Sequence, residues 1–167
     1  MYNELTKVDI KKMQDEINMR ANELRPKLGD ELKEARSLGD LSENAEYKSA
    51  RRAFNRNESR IRFLQKMIRT AKIISTESAP DEVGLFDKIE VFYEDTCETE
   101  TLMLSTTTRL DLENGIISKE SPFGKAVLGK KVGDKVFVQA SPDYSYTVEI
   151  KKITKGEDDD SIPLNGY

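Results

Sequence analysis

"YKSARRAFNRNESRIRFLQKMIRTA", Tyr47 to Ala71, decides the fold. Tyr47, Ala50, Phe54, Asn57, Ile61, Leu64, Ile68 and Ala71 recur at alternating three- and four-residue steps. That spacing lines one face of a helix and makes the seam of a coiled coil, and a polar member such as Asn57 can fix register at some cost in stability. A partner must lie upstream. Ile10, Met13, Ile17, Ala21, Leu24, Leu28, Leu32 and Ala35 follow a looser version of the same rhythm. Pro26 falls inside that run and is expected to kink or split the helix, because it lacks an amide donor and its ring crowds the preceding turn. Only Leu38–Ser42 separates the two runs, so the helices must reverse tightly and lie antiparallel. Arms of this length reach roughly 45 Å, too long to be buried all round, and the hairpin is expected to project as a rod.

After Ala79-Pro80 the pattern changes. "LFDKIEVFYED", "ETETLML", "DKVFVQA" and "YSYTVEIKKI" alternate apolar with polar residues and favour β-branched or aromatic types, as strands do. "SPFGKAVLG" reads as a short helix with Ser121 as N-cap, Pro122 at its first position and Gly129 as its stop, and with Phe123, Ala126, Val127 and Leu128 as its core side. The fold class is therefore α+β: an N-terminal antiparallel helical hairpin over 1–76, with an acidic tip at 38–46, then a small antiparallel sheet domain with one short helix over 80–154. The acidic stretch 155–167, poor in apolar residues, is expected to be disordered.

Composition limits the chemistry. The 167 residues contain no histidine, no tryptophan and one cysteine, Cys97. Serine–histidine and cysteine–histidine catalysis are excluded, a structural zinc site has too few ligands, and no intramolecular disulfide can form. A reducing cytoplasm is the expected compartment, and no run approaches a membrane-spanning length. Oxygen ligands for a hard cation remain. Charge is split: residues 1–74 hold 17 Lys/Arg against 12 Asp/Glu, and 75–167 hold 10 against 19. Nine of the basic residues lie between Lys48 and Lys72, with Glu58 as the one acid.

Asp40, Glu43 and Glu46 sit at the bend between the helices. Asp40 and Glu43 have the spacing of a capping box, Asp40 as N-cap and Glu43 at the third helical position. They could equally offer two carboxylates to a Mg²⁺ ion that keeps its other ligands elsewhere, and the two roles are compatible. Behind them Arg52, Arg56 and Arg60, four residues apart, form a basic stripe that Arg51, Arg62, Lys66 and Arg69 broaden. It suits RNA phosphate or an acidic protein wall, or else it pairs with Asp15, Glu16, Glu23 and Glu34 of the first helix.

"GDLSENAEY" followed by "ARRAF", "ELRPKLGDELKEAR" with its Pro26, and "GIISKESPFGKAVLGKKVGDKVFV" together resemble the bacterial GreA/GreB transcript-cleavage factors, in the right order from about Leu5 to Ile153. The resemblance implies an FKBP-like sheet domain and a hairpin that enters the secondary channel of bacterial RNA polymerase. It implies a factor, monomeric and away from membranes, that is no enzyme alone but stimulates the polymerase's own cleavage of the nascent RNA 3′ end in backtracked complexes. Asp40 and Glu43 match the family's acidic pair and are expected to hold the second Mg²⁺ of a site built mostly by the polymerase. Ser121, Pro122 and Gly124 are expected to touch the polymerase. A Gre-like channel blocker without cleavage, or an FKBP-like isomerase, are the alternatives. The chain departs from the family pattern in "STTTRLDLENG", where Arg109 stands at an expected acid.

Overall fold

The computed structural model describes residues 3–40 and 44–166. They fall into two compact units: Ile10–Ala71, and the first residues through Asp9 together with Lys72–Gly166. The N-terminus thus belongs with the sheet and not with the hairpin, because β1 (Glu4–Leu5) pairs in parallel with β2 (Lys72–Ile73).

In the helical unit, the first arm runs through α1 (Lys7–Met19), a π-helical turn (Arg20–Leu24) and α2 (Arg25–Ser37). Pro26 neither breaks the arm nor ends it. The widened turn just before it, closed by the Arg25 amide donating to the Arg20 carbonyl, takes up the register change that a proline imposes. The return arm is α3 (Ala45–Arg69), roughly 37 Å long at the usual helical rise. Ala35 meets Asn44, Arg25 meets Glu58 and Glu16 meets Arg60, an opposite order along the two arms, so the helices are antiparallel. Arg25 grips Glu58 through two hydrogen bonds of 2.6 and 3.0 Å, Arg20 donates to Asn57 Oδ1 at 3.2 Å, and Glu16 receives Arg60 at 2.8 and 2.9 Å. Ile61, Leu64 and Met67 are buried on α3. Buried Asn57 returns a hydrogen bond from Nδ2 to the Arg20 carbonyl at 3.3 Å. This polar seam position therefore meets the π-helical turn, and a one-turn slip would strand it.

In the other unit, five strands order as β5-β4-β3-β7-β6, from β3 (Lys88–Tyr93), β4 (Thr99–Ser105), β5 (Ile116–Ser118), β6 (Lys135–Ser141) and β7 (Tyr144–Thr154). The sheet is mixed rather than wholly antiparallel. β4 and β5 pair in parallel, Met103 with Ile116 through Ser105 with Ser118. A parallel neighbour cannot be reached by a tight hairpin, and the loop 106–115 supplies the return. Alternate residues of the strands, Ile89, Val91, Leu102, Leu104, Val136, Val138, Val148 and Ile150, join Phe123 and Val127 of α4 (Pro122–Val127) in one core. Leu128 is 41% exposed instead of packed, because α4 ends at Val127 and Gly129 turns the chain at φ +76°.

The loop 106–115 is organised by a buried ion. Arg109 is fully buried: its Nε lies 2.6 Å from Asp9 Oδ1, and its Nη2 donates to Asp158 Oδ1 at 2.6 Å and to Thr6 Oγ1 at 3.3 Å. Nη1 reaches the Asp159 carbonyl at 3.2 Å, and the guanidinium lies 4.7 Å over the Phe86 ring. Asp9 is itself held by a reciprocal cap, the Thr6 amide donating to Asp9 Oδ2 at 2.9 Å and the Asp9 amide to Thr6 Oγ1 at 3.2 Å. Thr106 and Thr108 hydroxyls complete its shell at 3.2 and 3.3 Å.

The same network overturns the expectation of a disordered tail for residues 155–166. Asp158 is tied to Arg109, Ile162 is buried in the core, and Asn165 bonds the backbone of Thr107, Thr108 and Leu110. An acidic composition predicts disorder when nothing neutralises it. Here a buried guanidinium does.

Candidate functional site

The tip of the hairpin starts at the end of α2. Leu38 closes on the Ala35 carbonyl, and Gly39 takes φ +115°, a conformation that residues with a Cβ rarely adopt. Asp40 follows, exposed and outside the helix. Glu43, the expected second member of the acidic pair, lies outside the described residues.

The capping role falls to Asn44 rather than to Asp40. Asn44 is the N-cap of α3: its Oδ1 accepts the Tyr47 amide at 3.0 Å, while its Nδ2 donates to the Ala35 carbonyl at 3.0 Å. One side chain thus satisfies an orphan donor at the start of α3 and gives the Ala35 carbonyl, already accepting from Leu38, a second hydrogen bond that ties the two helices together. The sequence does carry the signal, since asparagine is as good an N-cap as aspartate, but two overlapping cap candidates within five residues make the choice ambiguous. Asn44→Ala should cost about 1 kcal/mol of hairpin stability and speed hydrogen exchange of the Tyr47 amide. An unchanged exchange rate there would show that the clamp does not hold the tip.

Tyr47 is half-buried with the Arg36 guanidinium 5.7 Å from its ring centroid, so it packs at the seam. Glu46 is exposed in the first turn of α3. Glu31, Glu34, Ala35, Leu38, Glu46, Ser49, Ala50 and Ala53 line a shallow hollow of about 420 Å³ along this end of the hairpin. Among the described residues no group of three or more acidic or sulfur ligands converges into a metal site.

The basic stripe divides. Arg51, Arg52 and Arg56 are exposed and form no ion pair among the described residues. Arg60 leaves the stripe: it is buried and gives both hydrogen bonds to Glu16, so it is not available to a partner's surface. The helical twist turns it toward the seam. Burial alone would raise the Glu16 pKa, but hydrogen bonds from Arg60 and Arg20 more than offset this and keep the carboxyl below its ordinary value.

Of the three residues at the start of α4 expected to touch the polymerase, two are accessible. Pro122 is exposed. Ser121 is half-buried, its hydroxyl accepting the Gly124 amide at 2.9 Å and donating to the Ser118 carbonyl at 2.7 Å. Gly124 is buried, and a Cβ there would lie 2.4 Å from the Ser118 carbonyl oxygen and 2.8 Å from the Lys119 Cα. It is a packing glycine rather than a contact residue. Gly124→Ala should therefore destabilise the chain by about 1–3 kcal/mol through overpacking against backbone, read as a lower urea midpoint at unchanged slope. Unaltered stability would return Gly124 to the surface.

Residues 3–73 match the family described as "Transcription elongation factor, N-terminal", and residues 72–155 match "Transcription elongation factor, GreA/GreB, C-term". The transcription elongation factor GreA of Rhizobium leguminosarum bv. viciae is 38% identical over 146 residues, 87% of this chain and 92% of that protein. GreA of Mesoplasma florum is 37% identical over 150 residues, 89% and 96%. Among solved structures, Gfh1 of Thermus thermophilus is similar at a TM-score of 0.41 and 22% identity, over 91% of this chain and 98% of that one. A GreA/GreB factor from Nitrosomonas europaea gives a TM-score of 0.41 and 23% identity, over 57% and 79%. No helix among the described residues is long and apolar enough to cross a membrane.

Proposed function

This chain belongs to the GreA/GreB family of transcription elongation factors, and from that premise we propose that its hairpin enters the secondary channel of RNA polymerase and stimulates the polymerase's own cleavage of backtracked nascent RNA. The observation that supports this reading is the place of Asp40: an exposed carboxylate at the reversal of two long helices.

The donor set at the tip fits a hard cation only as a minority ligand. Mg²⁺ prefers oxygen, keeps several waters and needs one or two carboxylates beyond its phosphate ligands, and Asp40, with Glu43 beside it in sequence, supplies that share. When bound, such an ion activates a water and neutralises charge on the scissile phosphate. The chain's own residues do the remaining work. Gly39 and Asn44 set the bend that presents Asp40, and the paired arms, stapled by Arg25–Glu58 and Arg60–Glu16, keep it from swinging. Arg51, Arg52 and Arg56 offer positive charge on the return arm to RNA phosphate or acidic channel walls. Pro122 and Ser121 are the proposed contact of the sheet unit with the polymerase. In this reading the factor acts as a monomer in the cytoplasm and has no nuclease activity alone.

The test is to add the protein, with Mg²⁺, to stalled and backtracked elongation complexes carrying labelled RNA. Shortened RNA that can be re-extended supports the reading. Inhibition without cleavage makes the protein a channel blocker, and a rate on an X-Pro peptide with no effect on polymerase makes it an isomerase. The stripe has its own signature. Arg52→Glu/Arg56→Glu should weaken the response most at low salt and flatten its salt dependence, because screening already removes the attraction at high salt. A loss equal at all salt concentrations would remove the electrostatic role.

A further inference from the structure

One end of the five-stranded sheet is unlike the rest of its surface. The β3–β4 and β6–β7 hairpins both turn there, and three tyrosines gather on the core-side face just past the last buried layer. Tyr93 and Tyr146 have ring centroids 5.6 Å apart at 42°, and Tyr146 and Tyr144 are 5.6 Å apart at 40°. Tyr93 and Tyr146 are half-buried against the core, while Tyr144 is 54% exposed. The row thus begins in the core and ends in solvent. A purely structural tyrosine stack has no reason to continue outward.

The two turns that flank the row are acidic. Residues 93–101 contain Glu94, Asp95, Glu98 and Glu100 and no lysine or arginine; residues 139–146 contain Asp143 and again no base. Lys135 pairs with Glu94 at 2.6 Å, and the other four carry no ion pair among the described residues. The Tyr93 hydroxyl donates to Glu100 Oε2 at 2.9 Å, which orients that carboxylate beside the rings. Burial raises the Tyr93 and Tyr146 pKa values, with Glu100 contributing to both, so both phenols stay neutral at any ordinary pH.

Aromatic faces bounded by carboxylates select a cation. Phosphate would be repelled here, which argues against nucleic acid, and a planar guanidinium gains both the ring face and the carboxylate fork. We propose that this end of the sheet docks an arginine-bearing segment of a partner protein, the guanidinium lying against Tyr144 and Tyr146 and bonded to Glu100. The site uses none of the tip residues and does not depend on the cleavage reading.

The test titrates the full chain into a fluorescein-labelled peptide of glycine and serine with three spaced arginines, read by anisotropy. The wild type should bind it more tightly than the same peptide with lysines. Tyr144→Ala and Glu100→Gln should each weaken binding by about fivefold, and Tyr144→Phe should retain it, since the ring face survives. Tyr144 is exposed, so its loss leaves the core intact, which near-ultraviolet dichroism verifies. Equal affinity of wild type and Tyr144→Ala would overturn the proposal. So would a labelled oligouridylate that bound with the same dependence on Tyr144.

Discussion

Arg109→Met should destabilise the sheet unit by about 3–5 kcal/mol, a large fraction of what a domain of this size has. The substitution fills most of the same volume, so a cavity is not the cause. The cause is the charge left behind. Asp9 is completely buried and the Asp158 side chain is 7% exposed, and both carboxylates would lose the cation that balances them. Loss of the arginine also frees the Asp159 carbonyl and Thr6 Oγ1. The tail 158–165 should then come away from the 106–110 loop. Urea unfolding followed by tyrosine dichroism measures the first effect, and amide exchange at Leu110, whose N–H is held by Asn165 at 2.8 Å, measures the second. Arg109→Lys keeps the charge but has a single ammonium for a forked site, and should recover only part. Adding Asp9→Asn and Asp158→Asn to Arg109→Met should restore stability relative to the single variant, because the uncompensated charges are gone. If Arg109→Met alone were as stable as wild type, the buried ion would be replaceable and the tail held by Ile162 and Asn165 without it.

Asp40→Asn should reduce stimulated cleavage by about a hundredfold, the scale for removing one well-placed charged group from a site of this kind. It should leave α3 capped, because the cap belongs to Asn44. Helix content and the melting of the hairpin are therefore expected to stay near wild type while cleavage falls. Asn44→Ala should do the reverse in order of magnitude: a measurable loss of stability with a smaller loss of cleavage. The pair separates chemistry from architecture at the tip. Should Asp40→Asn lower both together, Asp40 would be structural and the metal-holding proposal would fail. Single-turnover measurement on a stalled complex gives the rate, and thermal melting by far-ultraviolet dichroism gives the stability.

These residues also show where sequence reasoning holds. The heptad seam from Tyr47 to Ala71 is visible because helix periodicity is local: each neighbour is three or four residues away. The same is true of the α4 start, where Ser121, Pro122 and the amide of Gly124 lie within four positions. The short tip between the two periodic runs forced an antiparallel hairpin, and the cross-contacts Ala35–Asn44, Arg25–Glu58 and Glu16–Arg60 have that order. At the candidate site, the position of Asp40 at the bend was legible, while the identity of the α3 cap was not, because Asp40 and Asn44 both carry cap chemistry and only the geometry of the bend places Asn44 there.

What remained hidden depended on distance along the chain. Arg60 has the spacing of the exposed stripe, yet Glu16, 44 residues earlier, draws it into the seam. Arg109 stood out only as a departure from a pattern; its meaning lies with Thr6 and Asp9 about a hundred residues upstream and Asp158 some fifty downstream. The acidic tail reads as disordered until that cation is placed under it, and the parallel β4–β5 pair appears only when the intervening loop is anchored. The sequence by itself determined the hairpin, the strands and the acidic bend, since propensity, periodicity and capping act over a few residues. The tertiary structure alone decided which charges are buried, which glycine is packed and which tyrosines reach solvent, because burial is a property of residues brought together from distant parts of the chain.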